Sequence, residues 1–349
     1  MGKWLRLFVG VLPVLGGCIY APFDLGLDKI GELVEAKVVA GSSDDKILLV
    51  RIDGEITDRA EAEGILGSSP PTTSAVREVL DLARLDDTVK GVLLRVNSPG
   101  GGVTASDIVY RELRRFREDT KKPVVAFCLD TAASGGYYVA QAADLIVAGP
   151  TSITGSIGVV AMFPNVSELG QKLGVAVTTL TSGKRKDLGN PFRPMEKHEQ
   201  KILQDLIDTM HERFVEVVLA GRKRVLGKRG IPVAELRRFA DGRVFTAREA
   251  HRNKLVDDIG YFEDALKHVE RIARVKDPQV VTYERRVFGA ARPTVYSERA
   301  AARTVAPLPG VPSALGERGG DVNLIKVSPS PSWLRRKGPV MKYLWIPGA

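Results

Sequence analysis

The stretch VVAFCLDTAASGGYY, residues 124–138, decides the fold and points to the chemistry. Its first six residues are an apolar run typical of a buried strand. The glycines after Ser134 and the helix-compatible residues 139–143 predict a turn from strand into helix, which exposes a serine as a nucleophile. A helix that begins there supplies backbone N–H groups and a positive dipole end beside Ser134. In an alternative interpretation Ser134 only caps the helix, because serine is a favoured N-cap.

A second apolar run, VLLRVNSPGGG at residues 92–102, ends in glycines. It predicts a strand followed by a loop, and Thr104 or Ser106 can cap the next helix. The N–H groups of Gly100 and Gly135 can then stabilise the oxyanion that forms when a serine attacks a carbonyl. Gly101 is a rival donor, because sequence cannot choose between adjacent amides. Taken alone, a Pro-Gly-Gly turn is more often a plain loop.

A nucleophilic serine needs a base, which is usually histidine. The four histidines lie far beyond Ser134 in segments typical of surface helix. Lysine can replace histidine where burial lowers its pKa, because the free amine is then a usable base. The sequence TSGKRKD, residues 181–187, follows a strand-like segment at 175–180 and offers Lys184 and Lys186. Without further information, such a basic run is more often a solvated charged surface.

Four motifs in the same order make the chain resemble bacterial signal peptide peptidase A, in its short, single-repeat form. They are NSPGG at residues 97–101, AASGGYY at 132–138, ITGSIGV at 153–159 and GKRKD at 183–187. Matching segments extend from about residue 46 to residue 260. The resemblance implies the fold of Clp protease subunits and crotonases, built from repeated β-β-α units.

The same resemblance implies the roles of individual residues. Ser134 matches the nucleophile, and Lys186 matches the general base of a Ser-Lys dyad. Ser156 matches the serine that orients the lysine amine, and Gly100 and Gly135 match the oxyanion-hole region. No metal and no cofactor are implied. Short members of the family form rings, so we expect a homo-oligomer in which Ser134 and Lys186 can meet across a subunit boundary.

The residue pattern agrees with this fold independently of the resemblance. Apolar strands near 47–53, 91–96, 123–129 and 145–148 alternate with helical segments near 73–85, 104–118 and 136–143. That alternation predicts an α/β layer fold with buried parallel strands. Apolar residues between 195 and 222 keep a helical spacing and predict a helix that packs on the body or on a neighbouring subunit.

The ends of the chain differ from its body. Residues 1–18 resemble a signal peptide that ends in a bacterial lipobox at Cys18, although most family members carry a transmembrane helix there; an uncleaved signal anchor is the alternative. A polar tether is predicted at 19–45, a peptidase domain at 46–286, and a mobile tail rich in Pro and Arg at 287–349. If Cys18 is lipidated, Cys128 has no disulfide partner and is expected to be a buried hydrophobe.

The 349 residues carry a net charge of +9. No recognition motif for nucleic acid accompanies this charge, so an anionic membrane surface is the expected partner. The leading hypothesis is a membrane-attached serine endopeptidase outside the cytoplasm that degrades cleaved signal peptides and similar apolar peptides. A crotonase-like acyl-CoA enzyme explains the glycines but not Ser134 with Lys186. A non-catalytic membrane scaffold is the third hypothesis, although both expected dyad residues are present.

Overall fold

The computed structural model describes residues 33–63, 67–227, 230–285, 293–297 and 342–344. Its apolar runs form strands, because a sheet pairs the backbone N–H and C=O groups that are buried with them. The strands are β1 (Leu33–Val39), β2 (Lys46–Ile56), β3 (Glu61–Glu63), β4 (Gly67–Ser69), β5 (Val89–Gly102), β6 (Val124–Ala133), β7 (Leu145–Ala148), β8 (Ile153–Gly155), β9 (Val244–Thr246), β10 (Asp258–Ile259), β11 (Gln279–Arg285) and β12 (Lys342–Leu344). The helices are α1 (Thr72–Leu85), α2 (Val103–Thr120), α3 (Gly135–Ala140), α4 (Ser167–Lys172), α5 (Lys197–Leu226), α6 (Val233–Phe239), α7 (Ala247–Arg252) and α8 (Phe262–Ala273).

The main sheet places its strands in the order β1-β11-β2-β5-β6-β7-β10. All neighbours on this path are parallel except β1 and β11. Val96 on β5 lies beside Cys128 on β6, so the carboxyl ends of these two strands meet at one edge. The alternation β2-α1-β5-α2-β6-α3-β7 confirms the predicted α/β layer fold and is consistent with the Clp/crotonase-like class.

The sheet is buried on both faces. Leu94 and Val96 belong to the core beneath α1, α2 and α3, whereas Leu93 packs in a second core with Phe262 and Val269 of α8. Successive side chains of a strand point to opposite faces, which explains why β5 is apolar at consecutive positions. Each fully buried side chain of this kind contributes about 1.5–3 kcal/mol to folding, so the carboxyl edge rests on a rigid base.

The sheet begins earlier in the chain than the tether prediction allowed. Residues 33–39, inside the predicted tether at 19–45, form β1 and pair antiparallel with β11. The N–H of Ser42 also donates to the Asp277 carboxylate (2.9 Å). Pairing with β1 covers the edge of β11, which would otherwise leave backbone groups open to another chain. The leader and Cys18 lie outside the described residues.

The segment between the sheet and α5 contrasts with the core. We call residues 160–196 the lysine arm; none of them is buried. Its exposed apolar side chains are Met162, Leu169, Leu173, Val175, Val177, Leu180 and Phe192. The strand predicted at 175–180 is wrong, because the segment is irregular and no described strand lies beside it.

The long helix predicted between 195 and 222 is α5. Its carboxyl-terminal half packs on the body through Phe214, Val217 and Val218, whereas Leu206 in the other half is exposed. Among the described helices, none is long and apolar enough to span a bilayer.

Most of the predicted tail lies outside the described residues. Of residues 293–297, the carbonyls of Val295 and Ser297 each accept a hydrogen bond from buried Arg95 (2.9 Å). Arg95 also pairs with Asp53, so this short piece of the tail is fixed to charged side chains of the sheet.

Candidate active site

Ser134 occupies a strained turn between β6 and α3. Its backbone has φ 53° and ψ −117°, a region that residues with a β-carbon rarely adopt. The Ser134 N–H donates to the Gly155 carbonyl and the Ser134 carbonyl accepts from the Tyr138 N–H, each at 2.8 Å. The Ser134 hydroxyl makes no capping hydrogen bond to α3, so the N-cap interpretation lacks its defining contact. Backbone strain of this kind is frequent at functional sites.

Ser156 lies beside Ser134 on a neighbouring strand end. β8 runs parallel to β6 with Gly155 beside Ala133, so the two serines follow paired residues. Ser156 also has a positive φ of 51°, and its N–H donates to the Arg243 carbonyl (2.8 Å). Arg243 leads into β9, which pairs with β8 on its other side. The strand pairing thus places two of the three residues predicted to be catalytic at neighbouring strand ends.

Glycines from two segments meet at this edge. A β-carbon on Gly135 would lie 3.1 Å from both the Gly100 Cα and the Gly101 nitrogen, so the end of β5 lies against the start of α3. Gly100 has φ 110°, which favours glycine. Its N–H donates to the Ser98 Oγ at 3.1 Å. An oxyanion that uses the Gly100 N–H must displace Ser98, and Gly101 therefore remains a candidate donor.

Only glycine fits at position 135 without a shift. A β-carbon there would lie 2.5 Å from the Ser106 Oγ. Ser106 does not cap α2 as the sequence suggested; the N-cap is Gly102, with no side-chain capping bond. The Ser106 hydroxyl is fully buried and has no hydrogen-bond partner among the described residues. Ser106 therefore packs directly against Gly135 and leaves no room for a side chain there.

A short strand already lies against the glycine segment. β12 pairs antiparallel with the end of β5, placing Leu344 beside Gly100 and Lys342 beside Gly102. Antiparallel pairing of this kind is the way in which many proteins hold an extended peptide along a sheet edge. The glycine segment can therefore accept a backbone as an added strand.

Long-range hydrogen bonds hold α3 in position. The buried Tyr137 hydroxyl donates to the Leu255 carbonyl (2.7 Å), and burial raises the pKa of that phenol. The Tyr138 hydroxyl donates to Asp107, which also accepts from Arg213 (3.2 Å). Sequence reasoning missed Asp107 and Arg213, because no local pattern marks two residues that are this far apart in the chain.

Lys186 is not joined to Ser134 within one chain. It is exposed on a turn in which its N–H donates to the Gly183 carbonyl (3.0 Å). Its amine makes no hydrogen bond or ion pair with any described residue. Lys184, the alternative base, is exposed as well. The lysine arm therefore presents both candidate lysines to solvent.

Other reactive groups of the described chain do not form a competing centre. Cys128 is a free, fully buried thiol, and burial raises its pKa to about 12, which confirms that it is a small hydrophobe. Within the described ranges, no group of three His, Cys, Asp or Glu residues is placed to hold a metal ion. The turn at Ser134 is thus the candidate centre for catalysis.

Comparison with known proteins identifies relatives of this chain. The model of peptidase family S49 matches residues 116–276. A protein of Methanocaldococcus jannaschii that is named as a protease is 38% identical over 280 residues, which are 80% of this chain and 84% of that protein. A protein of Enterococcus faecium named as signal peptide peptidase SppA is 34% identical over 270 residues, 76% of each chain. Protease 4 of Haemophilus influenzae is 34% identical over 239 residues, 68% of this chain and 36% of that protein.

Proposed function

Since the chain belongs to peptidase family S49 and is a protease, we propose that it is a membrane-attached endopeptidase with a Ser134-Lys186 dyad that degrades cleaved signal peptides and other apolar peptides. The observation that carries the proposal is the strained turn at Ser134, whose hydroxyl is not used as a helix cap and which lies beside two glycine segments. The names of the relatives support the substrate class.

The chemistry is acyl transfer. The neutral Lys186 amine accepts the proton of the Ser134 hydroxyl as the oxygen attacks the peptide carbonyl. The N–H of Gly135, with that of Gly100 or Gly101, stabilises the oxyanion, and each well-placed donor lowers the barrier by about 3 kcal/mol. Protonated lysine then gives its proton to the leaving amine, and water releases the acyl-enzyme. The Ser156 hydroxyl, beside Ser134, orients the lysine amine.

The lysine is supplied by a second copy of the chain in this proposal. Two observations support it: Lys186 is exposed with no described partner, and the lysine arm around it carries apolar side chains such as Leu180, which is 91% exposed. Exposed apolar side chains concentrated in one segment mark a protein interface. Assembly into a homo-oligomeric ring would bury them and bring Lys186 of one subunit to Ser134 of the next.

Substrate binding follows from the glycine segment. An extended peptide that takes the place of β12 beside residues 100–102 would lie along the edge that holds Ser134. Backbone pairing demands an unfolded substrate. Attachment to a membrane through a lipidated Cys18, with the catalytic domain outside the cytoplasm, would place the site near released signal peptides.

The decisive experiment measures cleavage of an unfolded apolar peptide by Ser134→Ala and Lys186→Ala, with Lys184→Ala as the matched control. We expect the first two variants to lose at least about 1,000-fold in kcat, and the control to retain most activity. A serine-reactive phosphonate should label Ser134 in the wild-type chain. Undiminished cleavage by Ser134→Ala would overturn the proposed nucleophile, and undiminished cleavage by Lys186→Ala the proposed base. A chain that cleaves no peptide but binds acyl-CoA thioesters would be an acyl-CoA enzyme instead.

A further inference from the structure

Arg193 connects the lysine arm to the start of α5. Its Nε donates to the Asp187 carboxylate (2.9 Å), and one of its terminal nitrogens reaches the Asp187 carbonyl (3.3 Å). The guanidinium also makes two hydrogen bonds to the Glu199 carboxylate, of 2.7 and 2.5 Å. One arginine therefore holds two carboxylates that lie on either side of it in the chain. We call Asp187, Arg193 and Glu199 the arginine clamp.

The Glu199 end of the clamp is rigid. Its side chain is 3% exposed, and the same carboxylate accepts the Glu196 N–H (2.9 Å) in a capping box at the start of α5. The guanidinium beside it lowers the pKa of Glu199 to about 2, so this carboxylate stays ionised at any working pH. Paired, charge-assisted hydrogen bonds of this type fix orientation as well as distance.

The Asp187 end of the clamp fixes the residue that directly follows Lys186. The Asp187 carbonyl accepts from the Asn190 N–H (3.0 Å) in addition to Arg193, so both its main chain and its side chain are held. The Lys186 amine, in contrast, contacts no described residue. The arm therefore combines a fixed backbone with a side chain that is free to reach outwards.

We propose that Arg193 is a positioning residue for Lys186, because it anchors the backbone of the base to α5 through Asp187 and Glu199. This inference rests on the proposed function, in which Lys186 is the base. Catalysis requires the amine to lie within hydrogen-bond reach of the serine hydroxyl, and a displacement of about 1 Å can cost about 100-fold in rate. An arm that has no buried residue needs such an anchor. Without the clamp, Lys186 would remain present but poorly placed.

A purely structural role makes a different prediction. If Arg193 only supports the capping box, then loss of Asp187 leaves the start of α5 intact and has no effect. If the clamp positions Lys186, loss of Asp187 and loss of Arg193 have the same effect on catalysis, and the double variant is no worse than either single one. Residues of one network are non-additive in this way.

The test compares Arg193→Met, Asp187→Ala and the double variant on the full chain, using an unfolded apolar peptide. We expect each to lower kcat about 10- to 100-fold with KM changed less than about 3-fold, while oligomeric mass is unchanged. Asp187→Ala should keep the wild-type Tm, because the Glu196–Glu199 capping contacts remain. Arg237→Met is the matched control, since it removes the exposed pair between Arg237 of α6 and Glu212 of α5, which is joined by two hydrogen bonds of 2.7 Å. It should keep wild-type kcat.

The outcomes separate this inference from the function on which it rests. A wild-type kcat in Asp187→Ala would overturn the positioning role of the clamp. A double variant whose fold-loss in kcat equals the product of the two single fold-losses would overturn it as well. A reduced oligomeric mass also overturns it, because the clamp would then act on assembly. Lys186→Ala is measured alongside: if it is active, the dyad itself has failed, and if it is inactive while Asp187→Ala is normal, only the clamp has failed.

Discussion

The Ser134 turn and the lysine arm are built in opposite ways. Ser134 follows two buried residues at the end of β6 and precedes a fully buried helix, and the residue itself is 1% exposed. The lysine arm has no buried residue from 160 to 196 and exposes Lys186. The sheet core determines the Ser134 turn within one chain. The lysine arm leaves apolar side chains such as Leu180 exposed. The proposed function accounts for this contrast, because a second copy of the chain would pack on the arm and complete the site.

The largest expected effect comes from mixing two inactive variants. The kcat of Ser134→Ala and that of Lys186→Ala should each be at least about 1,000-fold lower than that of the wild type, since each variant lacks one half of the dyad. Activity should return at each interface that combines the intact serine of one chain with the intact lysine of its neighbour. In an equal mixture, about a quarter of the sites combine them in this way. Peptidase assays on co-refolded chains measure this. Proven co-assembly without any recovery would place both residues in the same chain.

The two halves of α5 should differ strongly in their contribution to stability. Arg222 in its second half is 1% exposed and pairs with Asp257, which also accepts the Ile146 N–H (2.8 Å). Asp257→Ala leaves a buried arginine unpaired and should lower the free energy of unfolding by about 3 kcal/mol or more. Asp205→Ala, which breaks an exposed pair with Lys201 in the first half, should cost less than about 1 kcal/mol. Chemical denaturation checks both, and equal losses would contradict the contrast between the two halves.

Two glycines provide the next comparison. Gly135→Ala places a β-carbon 3.1 Å from backbone atoms of Gly100 and Gly101, so the glycine segment must move, and we expect kcat to fall about 100-fold. Adding Ser106→Gly removes the 2.5 Å contact but leaves these backbone contacts, so recovery should be partial at most. Gly183→Ala on the lysine arm meets no atom within 4 Å and should leave the free energy of unfolding unchanged. A fully active Gly135→Ala would exclude a tight fit at this edge.

Leu180 on the lysine arm should matter for assembly and hardly at all for stability. Because this side chain is 91% exposed, Leu180→Ser should change the free energy of unfolding by less than about 0.5 kcal/mol. Sedimentation should nevertheless show weaker self-association, with a parallel loss of peptidase activity on dilution. Unchanged assembly in this variant would remove Leu180 from the proposed interface.

The serine side was predictable because its signals are local. The apolar run at 124–129 and the glycines after Ser134 predict strand, turn and helix from neighbouring residues alone, and the structure has them in that order. The pairing of β8 with β6, which places Ser156 beside Ser134, was not predictable from spacing, because a turn at 154–156 has no signal of its own. Only the family resemblance pointed to it.

The lysine arm was predicted less well for a physical reason. The apolar residues at 175–180 have strand propensity, but a strand needs a partner, and no described strand lies beside them. The arginine clamp was invisible too, because a charged run around Lys186 is equally typical of a solvated surface. Tyr138 and Asp107 meet only once α2 and α3 have packed together.

The antiparallel pairing at Gly100–Gly102 has a consequence for what the enzyme leaves intact. Main-chain hydrogen bonds along a glycine segment form only with a backbone that is not already paired in a helix or sheet. They depend little on the side chains of the bound peptide. A native protein hides its backbone, while a peptide released from its parent exposes it. Selectivity would then arise from the conformational state of the target, so that properly folded neighbours are spared without an inhibitor.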